Sequence, residues 1–177
     1  MIEIRWHGRG GQGSFTGAKL LGVAASIYEG KYAQAFPSFG PERRGAPVLG
    51  FNRISDTQIR ERSEISKCDF IVFLDDTLWN ESYLNDLKED SFVLINTDKE
   101  IKGDKRIKCL NATQLALDIM GKPIANTGMF GFLIAFADKE LSSNSCIEAI
   151  KATMKPSIAG KNVEIFNEAY KLGKEIL

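Results

Sequence analysis

The sequence predicts an α/β protein, a three-layer α/β/α sandwich with a mostly parallel, mixed sheet. Segments with strand character alternate with segments of helical periodicity along the 177 residues. A glycine-rich stretch joins the first strand to the first helix, and residues 70–75 are an apolar run ending in an aspartate, typical of a central strand covered on both faces. The length suits one core, so we expect a single domain over residues 1–177.

The first half of the chain has the pattern of a strand, a helix and two further strands. Residues 2–7 alternate as a strand does, and a helix is predicted over residues 14–29, ended by a glycine. A short strand over residues 31–36 is expected to end before a proline, and the next is predicted over residues 48–54. Residues 57–62 are expected to pair with that strand as a hairpin, which makes the sheet mixed.

The second half is predicted to continue the alternation. Asp76 is the expected N-cap of a helix over residues 77–87. The motif Ser145-x-x-Glu148 is a capping box that opens a later helix. Gly128 and Gly131 favour close packing of the helix that carries them. The remaining predicted elements are strands at residues 92–96 and 106–110, and helices at residues 111–120, 127–137 and 162–177.

Charge and hydropathy exclude two classes of partner. Lysine and arginine total 23, as do aspartate and glutamate, so the net charge is zero and no basic excess marks a nucleic-acid binder. No apolar run approaches the ~18 residues of a membrane span, and the first residues do not resemble a secretory signal. We therefore expect a cytoplasmic protein with no nucleic-acid or membrane partner.

The cysteines exclude redox chemistry by this chain alone. Three of them, distant from one another and without a C-x-x-C pair, cannot form an iron–sulfur cluster, a structural zinc site or a disulfide framework. No nucleophile motif or cluster of metal ligands is present either. We expect no catalytic residue and no metal site, so the chain has the character of one part of a larger assembly.

Arginine and glycine concentrate in the first third of the chain. Seven of the eight arginines lie within the first 62 residues, and ten of the sixteen glycines lie at or before Gly50. Arginine presents a rigid fork of donors to phosphate or carboxylate, and glycine lets a backbone approach a ligand closely. This region is the predicted binding end. The alternative is that the arginines form surface ion pairs with Glu42, Asp56, Glu61 and Glu64.

A glycine motif follows the first predicted strand and opens the first helix. It fits G-x-G-x-x-G, a pattern in which a tight turn and a helix N-terminus present backbone N–H groups to an anion. The alternative is a tight strand–helix turn with no ligand. The motif residues are Gly8, Arg9, Gly10, Gly11, Gln12 and Gly13.

The surroundings of this motif narrow the nucleotide it would bind. An NAD site needs an acid at the end of the second strand, and the chain has Gln34 to Pro37 there. No Gly-Lys-Ser/Thr follows the glycines, so the motif is not a P-loop. A phosphate-rich ligand that needs no ribose carboxylate fits better, and coenzyme A and NADP both qualify.

A second unusual segment spans residues 35–47. It contains prolines, glycines and the pair Arg43 and Arg44, and it should leave the carboxyl edge of the second strand beside the glycine motif. Because prolines restrict the loop, both arginines would be held ready for a ligand or a partner. The alternative is a rigid loop at a subunit interface, with Glu42 pairing one arginine.

Three single features have structural and functional interpretations. His7, the only histidine, either donates to a ligand or acts as a base, or simply hydrogen-bonds at a strand end, which we favour. Asp75 and Asp76 end a central strand, where a metal or ribose would bind, although helix capping explains Asp76. Cys68 is expected to be a small buried hydrophobe.

Two blocks of sequence resemble one known family. Residues 5–13 (RWHGRGGQG), residues 33–48 (AQAFPSFGPERRGAPV) and residues 52–54 (NRI) are similar to gamma subunits of pyruvate:ferredoxin oxidoreductase, within the 2-oxoacid:acceptor oxidoreductases. Order, spacing and chain length agree with a separate gamma subunit. Residues 70–75 and 126–129 agree more loosely, so the specific resemblance covers about the first 55 residues.

The resemblance implies a complex that converts pyruvate or a related 2-oxoacid to acyl-CoA and CO2 and reduces ferredoxin or flavodoxin. Thiamine diphosphate, Mg and [4Fe-4S] clusters would belong to the alpha, beta (thiamine-binding) and delta (ferredoxin-like) subunits. The gamma chain would bind coenzyme A and pack against these partners. Gly10, Gly11, Gln12 and Gly13 would then face the coenzyme, and Arg9, Arg43 and Arg44 would contact its phosphates. The alternatives are a stand-alone NADP-binding reductase domain and a purely structural scaffold.

Overall fold

The structure is a computed structural model that describes residues 1–39 and 45–177. The described residues form six strands and five α-helices. The strands are β1 (Ile2–Arg9), β2 (Tyr32–Phe39), β3 (Pro47–Ser55), β4 (Cys68–Phe73), β5 (Leu87–Asn96) and β6 (Ile107–Leu110). The helices are α1 (Ser14–Val23), α2 (Ala112–Met120), α3 (Asn126–Phe136), α4 (Ser143–Thr153) and α5 (Pro156–Ile176).

The six strands form one sheet in the order β2-β3-β1-β4-β5-β6. Strand β3 runs antiparallel to both neighbours, and the pairs from β1 through β6 are parallel. The predicted mixed, mostly parallel sheet is confirmed. Strand β4 lies in the middle and is buried on both faces, as its apolar run indicated.

Helices cover both faces of the sheet, which confirms the predicted sandwich. The α-helices pack together on one face around Trp6, Val72, Phe130 and Phe166. The opposite face, called here the second face, carries a smaller core around Phe51, Ile71 and Phe73. Two 3-10 helices, Asp76–Leu78 and Glu81–Asp86, cover that core together with loops. Among the described helices none is both long and apolar enough to span a membrane.

The predicted helix over residues 77–87 is wrong. This segment forms the two 3-10 helices, separated by extended backbone at Trp79 and Asn80. The N-cap is Asp75 and not Asp76, because the Asp75 side chain accepts a hydrogen bond from Thr77 N. The Asn80 side chain accepts one from Ser82 N in the same way. Such local side-chain hydrogen bonds compete with those of an α-helix, and each one caps a separate short 3-10 helix.

The hairpin partner predicted at residues 57–62 is also wrong. These residues form a loop, and Gln34 Nε2 donates to the Glu61 carbonyl oxygen at 3.1 Å. The physical reason is that β3 already pairs on both sides, with β2 and β1, so it has no free edge. The sheet is mixed because β3 itself runs antiparallel to β1 and β2, and not because residues 57–62 add a strand.

Several element boundaries also differ from the prediction. Strand β2 continues through Pro37 to Phe39, which an edge strand tolerates because an outward-facing position needs no N–H. Helix α4 is capped by Ser142, whose hydroxyl accepts from Ser145 N, so Ser145 lies inside the helix. Helix α5 begins at Pro156, earlier than predicted, with proline in the first turn. Helix α1 continues as a π-helical turn over Ala24–Tyr28.

Candidate functional site

The glycine motif forms the turn between β1 and α1 at the carboxyl edge of the sheet. Gly10 N donates to the Ala46 carbonyl at 2.9 Å, and Gln12 N donates to the Arg9 carbonyl at 3.0 Å. Gly11 and Gly13 have φ of 95° and 84°, values that side-chain-bearing residues rarely adopt. The predicted motif therefore spans the end of β1, with Gly8 and Arg9, and the tight turn from Gly10 to Gly13.

The side chain of Gln12 ties this turn to the end of β4. Its Oε1 accepts from Arg9 N at 2.7 Å, and its Nε2 donates to Asp75 Oδ2 at 2.9 Å. The turn thus lies between the two halves of the sheet: β2 and β3 lie on one side of β1, and β4, β5 and β6 lie on the other. Open α/β sheets bind ligands at such a point.

The guanidinium of Arg9 is held by its own chain. Nε donates to Asp75 Oδ2 at 3.2 Å, Nη1 to the Gly45 carbonyl at 3.2 Å, and Nη2 to Thr77 Oγ1 at 2.8 Å. Its side chain stays 37% exposed. Arg9 thus lies beside the glycine turn and the end of β4, and its contact with a phosphate stays a prediction. Arg43 and Arg44 lie outside the described residues.

Three arginines in the first third of the chain pair with acids other than those considered from the sequence. Arg5 pairs with Asp86, Arg9 with Asp75 and Arg53 with Glu3. Each of these acids is distant in sequence from its arginine, so neighbouring residues carry no signal for the pairing.

Two helices begin beside the glycine turn without a side-chain cap. Helix α1 has Gly13 as its N-cap, with no capping hydrogen bond and no acid in the first turn. Helix α3 begins after Ala125, which makes no capping bond, although the Asn126 side chain accepts a hydrogen bond from Thr127 N at 2.9 Å. Asn126 packs so closely on Gly13 that a Cβ there would lie 2.6 Å from its Nδ2. Within the described chain, the Ser14 hydroxyl is buried without a hydrogen-bond partner. These helix ends offer unused donors to an anion.

A cleft opens between these helix ends and the ends of β4 and β5. Its larger part, of about 370 Å³, contains Asp75, Asp76, Asn96, Thr97 and Asp98. A smaller recess of about 120 Å³ adjoins it through shared walls and is lined by Gly11, Thr113, Pro123, Ile124 and Ala125. The described residues that line the recess include no acid, whereas the larger part is acidic. A phosphate is therefore favoured in the recess, and hydroxyl or amino groups are favoured beside the aspartates.

Asp75 links the parts of the cleft wall, because its side chain accepts hydrogen bonds from Arg9, Gln12 and Thr77. Partial burial acts to raise its pKa, but hydrogen bonds from Thr77 and Gln12 and the charge of Arg9 outweigh that effect. The pKa of Asp75 therefore lies below its ordinary value of 3.8. Sequence reasoning considered a metal or ribose at Asp75 and missed this role, because Arg9 and Gln12 lie more than sixty residues away from it.

We expect Asp75→Asn to change the acid stability of the chain. A carboxylate whose pKa is lowered by folding stabilises the folded state above its unfolded pKa, and this contribution is lost as pH falls through the folded value. The stability difference between wild type and variant should be constant above about pH 5 and shrink below about pH 4. Urea unfolding at several pH values measures it, and a difference that stays constant down to about pH 2 would contradict this role.

His7 and Cys68 both adopt the structural roles favoured from the sequence. His7 is 5% exposed, and its Nε2 accepts from Arg5 Nε at 3.0 Å. Burial, with the charge of Arg5, lowers the pKa of His7 to about 3, so it cannot act as a base near neutrality. Cys68 is fully buried, and burial raises the pKa of its thiol to about 12. No group of three or more potential metal ligands occurs among the described residues.

The topology does not suit the NADP alternative. In a dinucleotide fold, the strand beside β1 is parallel to it, and its carboxyl end meets the ribose. Here one neighbour of β1 is the antiparallel β3, whose carboxyl end lies at the opposite edge. The other is β4, whose terminal acid is already bonded to Arg9 and Gln12.

Comparison with known proteins gives a consistent family. The family model for pyruvate ferredoxin/flavodoxin oxidoreductase matches residues 3–172. Pyruvate synthase subunit PorC of Methanothermobacter thermautotrophicus is 44% identical, covering 96% of this chain and 94% of that one. The pyruvate/ketoisovalerate oxidoreductases common subunit gamma of Pyrococcus furiosus is 43% identical, with 96% of each chain covered.

A solved structure agrees with these relatives. The crystal structure of pyruvate oxidoreductase subunit PORC from Thermotoga maritima matches with a TM-score of 0.83 and 32% identity, over 96% of this chain and 95% of that one. Sequence and fold thus point to the same subunit type over nearly the whole length. The chain belongs to the pyruvate ferredoxin/flavodoxin oxidoreductase family, in which it is a gamma-type subunit of the oxidoreductase.

Proposed function

We propose that this gamma-type chain, one domain over residues 1–177, contributes coenzyme A binding and subunit packing to its complex. The complex would oxidise pyruvate or a related 2-oxoacid to acyl-CoA and CO2 in the cytoplasm, with ferredoxin or flavodoxin as electron acceptor. Alpha, beta and delta subunits would hold thiamine diphosphate, Mg and the [4Fe-4S] clusters. The chain's own contribution is then to bind and orient, without a catalytic residue.

The observation that carries this proposal is the pair of uncapped helix ends at the glycine turn. Gly11 and Gln12, which precede α1, and Ala125, the N-cap of α3, line one small recess whose described lining residues include no acid. Apart from its chain neighbours, no described residue has an atom within 4 Å of where a Cβ of Gly11 would be, so a ligand can approach the backbone there. Backbone N–H groups in this arrangement suit the diphosphate of coenzyme A.

The remaining parts of the cleft suit the rest of the nucleotide. Asp76 and Asp98 line the larger part and would accept hydrogen bonds from hydroxyl or amino groups. Arg9 lies beside the cleft, and Arg43 and Arg44, which are outside the described residues, would add further contacts. If Arg9 left Asp75 for a phosphate, one charge-assisted hydrogen bond would replace another. Each is worth roughly 1.5–3 kcal/mol, so the exchange would add little to the binding free energy. We therefore assign the first phosphate contacts to the glycine turn and further contacts to the arginines.

Equilibrium titration of the chain with coenzyme A and with NADPH tests this proposal. Trp6 lies beneath α1, where a Cβ at Gly17 would meet its ring at 3.0 Å, so it should report binding at this helix. Trp79, on the second face, is replaced by phenylalanine to leave one reporter. Coenzyme A is expected to bind at least about tenfold more tightly than NADPH. Equal affinities, or binding of NADPH alone, would contradict the proposal.

A further inference from the structure

The second face of the sheet contains a pocket that the proposed function does not use. It has a volume of about 400 Å³ and lies at the same edge as the cleft, on the other side of β1. Most of its wall is carbon, contributed by Pro47, Leu49, Leu78 and the ring of Tyr83. Arg5, His7, Gly8 and Ser38 complete the lining. This composition differs from that of the acidic cleft, so the two sites suit different chemical groups.

His7 gives this pocket one polar feature. The imidazole stacks on Phe73, with ring centroids 4.4 Å apart, and meets the edge of Tyr83. Because Nε2 accepts from Arg5 Nε, the single proton of the neutral ring is on Nδ1. No group among residues 1–39 and 45–177 accepts a hydrogen bond from Nδ1. Because His7 lines the pocket, this N–H donor favours a ligand that brings an acceptor.

The positive charge in the pocket is already neutralised. Arg5 Nη2 forms an ion pair with Asp86, and Nη1 donates to the Ile65 carbonyl. The guanidinium also lies over the ring of Tyr83 at 5.5 Å. With its charge paired to Asp86 and three of its donors bonded, Arg5 fixes the tautomer of His7 and offers little to an anion. An uncharged ligand fits the pocket better than a carboxylate or a phosphate.

We propose that this second-face pocket binds an uncharged, apolar chain through a carbonyl oxygen that accepts a hydrogen bond from His7 Nδ1. The ligand class is an aliphatic amide. The assignment to a particular molecule rests on the proposed function: coenzyme A joins a phosphate-bearing nucleotide to a pantetheine arm, which is aliphatic and carries two amides. The glycine turn separates a recess suited to the first half from a pocket suited to the second.

The imidazole resonances of His7 test the proposal, because the chain has only one histidine. Pantetheine, added to the isotope-labelled full chain, should shift the Nδ1 and Hδ1 signals. The adenosine phosphate half of coenzyme A, without pantetheine, should shift the amide of Gly11 and leave His7 unchanged. Coenzyme A should shift both.

Two variants test whether pantetheine binds in the pocket. Leu49→Trp fills the pocket and is expected to weaken pantetheine binding about tenfold or more, whereas Ile27→Trp, at an exposed position on the π-helical turn, should leave it within about twofold. A response of Gly11 to coenzyme A with none of His7 would overturn this inference and leave the proposed function standing. No response at either residue would overturn both, and equal pantetheine affinities in the two variants would overturn the inference alone.

Discussion

Replacing Gly131 with alanine should destabilise the chain more than any other single methyl group added to an α-helix. Gly131 lies in α3 where α5 crosses it, and a Cβ there would lie 2.2 Å from the carbonyl oxygen of Phe166 and 3.0 Å from its carbonyl carbon. The clashing atoms belong to the backbone, so no side-chain rotation relieves the contact. The two helices must separate, although α3 is buried almost throughout.

The expected loss is about 3 kcal/mol, at the upper end of overpacking costs. For a chain of this size it corresponds to a fall in Tm of roughly 6–12 °C. Gly160→Ala is the matched control, since outside its own helix turn no described residue has an atom within 4 Å of its Cβ position in α5. The free energy of unfolding of that variant should rise by about 0.5–1 kcal/mol, because alanine loses less backbone entropy than glycine when the helix forms. Thermal unfolding of both variants decides the matter, and equal Tm values would show that the helix contact is not tight.

Close packing at this helix was predictable, and its partner was not. Gly128 and Gly131 predicted that something approaches α3 closely, because small residues at helical spacing permit it. The partner is α5, which begins some twenty residues after α3 ends. Nothing local in either segment specifies the other. The same limit applies to the sheet, in which each strand was predicted near its true place while the insertion of β3 between β2 and β1 was not.

The candidate site divides in the same way. The glycine turn is encoded by adjacent residues, so its six members were found from the sequence with the correct helix start. Asp75 is bonded to Gln12 across 63 positions and to Arg9 across 66. A sequence pattern carries no signal for such a pairing, and its adjacent aspartates indicated a ligand site instead. The error at residues 77–87 is of another kind, since Asp75 and Asn80 are turn-forming residues whose local bonds overrode helical periodicity.

The largest functional effect is expected at Gly11. This residue has positive φ and open space around its Cβ position, and it lines the recess between the ends of α1 and α3. Gly11→Leu would place a side chain where the coenzyme must approach. Gly30 matches it closely, with positive φ and open space, but lies at the far end of the helix. Both leucine variants should lose about 1–2 kcal/mol of stability from the left-handed backbone.

The apparent KM for coenzyme A, measured in the complex assembled with each variant chain, therefore tests the central claim most directly. Gly11→Leu is expected to raise this KM about tenfold or more, while Gly30→Leu stays within about twofold of wild type. The KM for the 2-oxoacid should be unchanged in both, since its site would lie on other subunits. Equal KM values for coenzyme A in the two variants would contradict coenzyme binding at the glycine turn and leave this chain a structural scaffold.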